Sequence, residues 1–357
     1  MLAGDHGSRR LARDALLAWY DGARRDLPWR HRRDAYAIWV SEVMLQQTRA
    51  DTVVRYYDRF LERFPDVATL AAATEDEVLA AWSGLGYYRR ARSLHAAARA
   101  VAIAGSLPRE AREWAQLPGI GEYSAAAIAS IADGEVIAAL DGNVERVTSR
   151  LVASREDARR AATRRKLRKV ATQLVDPRRP GDSNQALMEL GATICRPRAP
   201  RCRDCPLRPW CTGFASGAPE RFPAARQRGA VERVRRQVFV ATLEDRILLF
   251  RRPAEASVMA GFWELPWTES PRRENQASHL NRKYGGVWHV GRSTRRVRHT
   301  ITRRRFSVYV YPAVWLSDGV GEPADGGWYR RSDLADLATS SLVLKALGDP
   351  IPAGCVR

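Results

Sequence analysis

Leu117-Pro118-Gly119-Ile120-Gly121-Glu122-Tyr123-Ser124-Ala125-Ala126-Ala127-Ile128-Ala129 is the stretch on which the reading of this chain turns. Residues Glu113 to Leu117 end one helix, and Tyr123 to Ala132 form the next. Between them Pro118, Gly119 and Gly121 let the backbone turn tightly and bring its N–H groups close to a ligand. N–H groups at a helix N-terminus bind phosphate without reading base sequence. A Gly-x-Gly alone is a weak signal, and the helices on either side make it a much stronger one.

Downstream, Asp141 precedes a helical run from Asn143 to Leu151. Aspartate is a good N-cap, and a cap at a domain junction also turns its carboxylate outward. Further on come Cys195, Cys202, Cys205 and Cys211, spaced Cys-x6-Cys-x2-Cys-x5-Cys. Four thiolates so close together call for a metal, either a [4Fe–4S] cluster or zinc. The basic loop Arg196 to Arg201 between the first two suits phosphates. Cys355 stands apart as an unligated thiol.

Upstream, residues Arg9 to Gly22 have helical spacing, with Leu11, Ala15, Leu16 and Trp19 on one face. Leu27-Pro28-Trp29-Arg30 breaks that helix. The segment Ala35 to Thr48 is apolar on nearly every side and should be buried. Glu42 lies at its centre. A lone glutamate in a helix is usually solvated, but Ile38, Trp39, Val43 and Leu45 leave this one little exposed surface. Desolvation raises a carboxyl pKa, as a general acid near neutral pH requires. Short helices follow at Val53 to Phe64, Val67 to Ala73 and Glu75 to Leu85. Tyr87 and Tyr88 beside Arg89 and Arg90 fit base stacking and a core position equally well.

At 357 residues two domains are expected. Hydrophobic content of 45% is that of a globular chain, and the net charge of +19 points to a polyanion such as nucleic acid. Lysine occurs only at 166, 169, 283 and 345, so a compositional preference for arginine accounts for part of the charge. No apolar run approaches the ~20 residues that span a bilayer, and residues 1–7 hold no hydrophobic signal core, which predicts an intracellular, cytoplasmic protein. Thr212 to Arg233 is rich in Gly, Ala, Pro and Arg. Strand periodicity then begins at Gln237–Leu243, Ile247–Arg251, Phe262–Trp267, Trp288–Val290 and Arg305–Trp315, with a closing helix at Ser340–Leu347. The expected organisation is an all-α domain over 1–215, a linker over 216–234 and an α+β domain over 235–357.

In order, LPWR, SEVMLQQT, GLGYY, LPGIG, LDGNV, NQALMELG and the four cysteines resemble the MutY-type adenine DNA glycosylases of the helix-hairpin-helix superfamily. The resemblance runs from about Trp19 to Trp315. It implies a helix-hairpin-helix glycosylase domain with a [4Fe–4S] loop at 195–211, followed by a Nudix-like lesion-recognition domain. The implied reaction is excision of adenine mispaired with 8-oxoguanine or guanine in double-stranded DNA, by a monomer. Under it, Glu42 resembles the acid that protonates adenine N7 and Asp141 the carboxylate that stabilises the sugar cation. Tyr123 and Asn143 are their supporting neighbours. Trp29, Arg30, Leu45 and Gln185 line the adenine pocket, and Gln47 and Tyr87 enter the duplex. Gly119, Gly121, Arg198 and Arg201 face the backbone, and Cys195, Cys202, Cys205 and Cys211 hold the cluster.

Two departures from relatives carry weight. Related endonuclease III enzymes place a Schiff-base lysine where this chain has Tyr123, and no lysine precedes Lys166. That predicts a monofunctional glycosylase leaving an abasic site. The lesion-sensing loop, His-Thr-Phe-Ser-His in many members, here reads His299-Thr300-Ile301-Thr302-Arg303. Thr300, Ile301, Thr302 and Arg303 are then the lesion-recognition residues, with Arg303 adding phosphate affinity. Gly261-Phe262-Trp263-Glu264-Leu265-Pro266 resembles the Nudix motif, but residues 267–275 lack the Gly-x5-Glu-x7-Arg-Glu-x2-Glu-Glu metal box, so no pyrophosphatase activity is expected. Competing readings are a thymine glycosylase for G·T mismatches and a non-catalytic mismatch-binding protein.

Overall fold

The computed structural model describes residues 6–158, 160–224, 230–253, 255–256, 259–269, 276–301, 304–316, 325–335 and 337–348. They form two units, one of residues 1–72 and 93–227, the other of residues 73–92 and 228–357. The first is helical. Among the described residues no helix is long and apolar enough to cross a membrane.

The first helix, His6–Ala23, buries Ala12, Leu16 and Tyr20, an i, i+4, i+8 seam. This corrects the expected face: Leu16 is buried, but Leu11 is 56% exposed and Trp19 only half-buried. The seam lies one residue along because Tyr20 can bury its ring and still donate its hydroxyl to Gln185 Oε1 at 3.2 Å.

The helix Ala35–Leu45 starts at Asp34, whose carboxylate accepts from the N–H groups of Tyr36 and Ala37. Every residue from Tyr36 to Met44 is buried. It packs on Glu122–Ala132, where Ala125, Ala126, Ala127 and Ala129 allow close approach of the two backbones. Between the helices Ala111–Trp114 and Glu122–Ala132 runs the hairpin. Gly119 there has φ +78°, and a Cβ would sit 2.4 Å from Ser93 Cβ, so only glycine fits.

The helix Pro180–Thr193 carries Asn184, which is fully buried. Its Oδ1 accepts from Ala139 N at 2.9 Å, and its Nδ2 donates to Ser130 Oγ and Ile137 O at 2.8 Å. These bonds pin the extended segment that delivers Asp141. Asn184→Ala would leave several buried polar groups unmatched, and an unfolding free energy lower by about 3 kcal/mol is expected by urea titration.

Among the described residues the second unit is built on an eight-stranded sheet: β1 Glu232–Leu243, β2 Arg246–Arg251, β3 Trp263–Glu264, β4 Trp267–Glu269, β5 Val287–Val290, β6 Arg295–Ile301, β7 Arg304–Leu316 and β8 Gly326–Arg330. The central order is β3-β2-β1-β7-β5, with β4 on β1, β6 on β7 and β8 on β2. β1 and β7 run parallel through ten registered pairs, Glu232↔Arg304 to Ala241↔Ala313, while the other pairings are antiparallel. One face buries Val238, Leu249, Val308 and Val310 with Val343 and Leu347 of the helix Ser341–Leu347. Part of the other buries Phe239, Leu248 and Trp288 with Leu280 of the helix Gln276–Tyr284.

The run Phe262–Trp267, expected as one strand, is two short ones. Pro266 has no N–H for a ladder, and its carbonyl instead accepts from Phe239 N at 2.8 Å. Strands β6 and β8 and the helix Gln276–Tyr284 had no counterpart in the sequence reading.

Candidate active site

A cleft of about 370 Å³ in the first unit is lined by Trp29, Arg30, Glu42, Leu45, Tyr123, Asp141, Asn143 and Gln185, among others. All eight are residues the sequence singles out, drawn from parts of the chain over 150 positions apart.

Glu42 is 4% exposed. Burial pushes its carboxyl up to about 7; the hydroxyl of Tyr123 opposes the rise, and the neighbouring Asp141 charge adds to it. Tyr123 Oη donates to Glu42 Oε2 at 2.8 Å and lies 3.1 Å from Met188 Sδ. The contact exists because the helices Ala35–Leu45 and Glu122–Ala132 pack together.

Asp141 is the N-cap of the helix Gly142–Leu151. Its Oδ1 accepts from Val144 N at 2.7 Å and its Oδ2 from Asn143 Nδ2 at 2.8 Å. Burial raises its pKa, against the lowering effect of these two bonds and of Arg146. Arg146 Nη2 in turn donates to Asn143 Oδ1 at 2.9 Å and Gly191 O at 2.8 Å. A Cβ at Gly191 would lie 2.5 Å from Asn143 Cβ, so this glycine sets how closely Asn143 is approached. Asp141 is therefore both cap and cleft residue.

The cleft lining also holds a charged group that the sequence does not single out. Glu189, 1% exposed, takes Arg25 Nε on Oε1 and Arg30 Nη2 on Oε2, each at 2.7 Å. Burial would raise its pKa, but the two guanidinium groups hold it below the usual value. Arg30 also lies over the Tyr20 ring, and Trp29 packs edge-on against Tyr57 with centroids 5.6 Å apart. Glu189 lies in the same run, NQALMELG, as Gln185, but nothing in that run marks it as ion-paired.

Outside the cleft, Gln47 follows the helix Ala35–Leu45 and is exposed at φ +58°. In the other unit, Tyr87 has φ +50° and 37% exposure, with the Arg90 guanidinium 5.3 Å from its ring centroid. Left-handed backbone is uncommon away from glycine and clusters at functional sites. Gly121 caps Glu122–Ala132 with space around it, and Arg198 and Arg201 are exposed. Thr300 is an exposed residue of β6 and Ile301 pairs with Arg304, while Thr302, Arg303 and Cys355 lie outside the described residues.

Cys195, Cys202, Cys205 and Cys211 are free thiols around one small cavity. Buried Arg150 donates to Cys195 Sγ at 3.3 Å and to the carbonyls of Arg196, Pro197 and Phe222. Among the described residues no set of three or more His, Cys, Asp or Glu side chains closes on a single ion. The four donors and their cationic neighbour fit a thiolate-held cluster in that cavity.

Residues 40–173 match the HhH-GPD superfamily base excision DNA repair protein family, and residues 237–348 match the NUDIX domain. The adenine DNA glycosylase of Mycolicibacterium smegmatis is 39% identical over 268 residues, 73% of this chain and 87% of that protein. The chain belongs to the adenine DNA glycosylases. The family's human member is 39% identical over 324 residues, 74% of this chain and 59% of that protein. Across three mammalian relatives, the match spans 40 to 59% of their lengths. Among solved structures, a thermostable thymine-DNA glycosylase is similar with a TM-score of 0.54 and 30% identity, covering 59% of this chain and 98% of that one.

Proposed function

We propose that the chain is a monofunctional glycosylase that hydrolyses the N-glycosidic bond of adenine opposite 8-oxoguanine or guanine in double-stranded DNA. The observation that carries this is the pairing, in one cleft, of a carboxyl pushed up to about 7 with a second, hydrogen-bonded carboxylate. Cleaving a bond to a sugar needs a proton for the leaving group and negative charge beside an oxocarbenium-like centre. Glu42 is protonated near neutral pH and gives its proton to adenine N7. Asp141, held by Val144 N–H and Asn143, stabilises the sugar cation. Tyr123 orients Glu42. Trp29, Arg30, Leu45 and Gln185 enclose the base once it has left the stack.

Gln47 and Tyr87 enter the duplex, and Gly119, Gly121, Arg198 and Arg201 grip its backbone. Thr300 to Arg303 read the base opposite. Cys195, Cys202, Cys205 and Cys211 hold a [4Fe–4S] cluster that orders the basic loop between the first two. The protein acts as a monomer on intracellular DNA.

The thymine-DNA glycosylase likeness favours a second reading, removal of thymine from G·T. Single-turnover release from duplexes pairing A with 8-oxoguanine, G, C or T, with a G·T duplex alongside, separates them. Rapid release opposite 8-oxoguanine and slower release opposite G is expected. Release from G·T alone would overturn the adenine assignment. With Tyr123 where a Schiff-base lysine would stand, borohydride should trap no stoichiometric protein–DNA adduct.

A further inference from the structure

The pairing register of β1, β7 and β6 brings nine residues onto one face of the sheet, the face whose Phe239 and Ala313 pack with the helix Gln276–Tyr284. They form three rows: Arg233, Arg305 and Thr300; Arg235, Ser307 and Arg298; Gln237, Tyr309 and Arg296. The alternation is confirmed by burial, since Phe306, Val308 and Val310 between them point into the core. Five of the nine are arginines and none is a carboxylate. All five are exposed. The carboxylates of β1 and β4 lie on the opposite parity: Glu232 pairs with Arg304 at 2.7 Å and Glu269 with Arg236 at 3.2 Å.

Like charges opposite each other on neighbouring strands destabilise a sheet. Arg233 opposite Arg305 therefore weakens the fold that carries it, and one row on Arg235 and Arg298 flank Ser307. Arg296 is the ordered member, with Nη2 donating to Ser307 Oγ at 3.0 Å and its guanidinium 5.5 Å from the Tyr309 centroid. The others stand as exposed forked donors of the kind that match phosphate oxygens.

We propose that this arginine face of β1, β7 and β6 is a second nucleic-acid surface, which binds the phosphate backbone of duplex DNA without reading its sequence. Charge complementarity selects the partner: a polyanion with repeated charges can engage five exposed cations on one sheet face, which a single carboxylate group cannot. The inference rests on the DNA substrate proposed above, but it concerns binding alone, so the two can fail separately.

The test uses the full-length protein and an undamaged duplex, following affinity against salt concentration. The variant carries Arg233→Gln, Arg235→Gln, Arg298→Gln and Arg305→Gln, leaving Arg296 in place. Each phosphate contact contributes about 0.9 to the slope of log affinity on log salt, so a slope shallower by about 3.6 is expected. The matching four-lysine variant should keep most of the slope. Melting temperature of the glutamine variant should be unchanged or raised, because like-charge crowding is relieved. An unchanged slope in the folded variant overturns the proposal. Unchanged duplex affinity with lost binding to poly-glutamate also overturns it, in favour of an acidic protein partner.

Discussion

Glu42→Gln is expected to slow single-turnover adenine release by about 10²- to 10⁴-fold, the range a positioned general acid supplies, while duplex affinity is retained. Glutamine has nearly the shape of glutamic acid and can still accept from Tyr123 Oη, so the cleft should keep its form; what it lacks is a proton to give. A protein that only recognised mismatches would behave identically before and after the change. The same residue predicts the pH dependence. Glu42 has a folded pKa near 7 against an ordinary 4.5, so its acid form, and with it release, declines as pH rises through about 7. The sign for stability is the same. The raised pKa favours the folded protein below about 4.5, and that contribution is lost as pH climbs through 7, amounting to about 3 kcal/mol. Above pH 8 the glutamine variant should therefore melt higher than the parent protein. Equal melting at pH 8.5, or undiminished release, would refute the buried-acid account.

The second large effect is expected from Asp141→Asn, with release slowed by about 10²- to 10³-fold, comparable to removing one preorganised electrostatic group from other active sites. Asparagine is as good an N-cap as aspartate, so the helix Gly142–Leu151 keeps its start. The cost to the fold is a rearranged contact with Asn143, about 1 kcal/mol. Far-ultraviolet dichroism and urea titration should thus be nearly unchanged while turnover collapses. A loss of stability as large as the loss of rate would mean that Asp141 is only a cap.

Much of the cleft was legible because its residues sit in contexts that distort ordinary behaviour. Glu42 is a charged residue in a helix whose every other face is apolar, and Asp141 stands immediately before a helical run. The hairpin was legible because Gly119 is the only residue type that fits. Glu189 was not, since its partners Arg25 and Arg30 lie about 160 positions away and ion pairing leaves no periodic mark. The arginine strand β6 escaped for a related reason. Arg295-Arg296-Val297-Arg298-His299 is polar on both faces, so period-two hydrophobicity is missing although the strand pairs fully with β7. The glycines of β8 hide it similarly. Leu11 misled because it is apolar but lies one residue off the seam that Tyr20 completes.

The parallel β1–β7 ladder has a consequence for how the chain is made. Each of its ten pairs joins residues 72 positions apart, the separation of Glu232 from Arg304. Local contacts cannot nucleate such a ladder, so its formation waits on a costly loop closure. At about 5–20 residues per second, β1 leaves the ribosome several seconds to over ten seconds before its partner does. During that interval Val238-Phe239-Val240, an apolar run with good strand propensity, has β4 for a neighbour on one edge but nothing on the edge that β7 will cover. Arg233, Arg235 and Arg236 flank that run, and their charges discourage the waiting strand from joining another copy of itself.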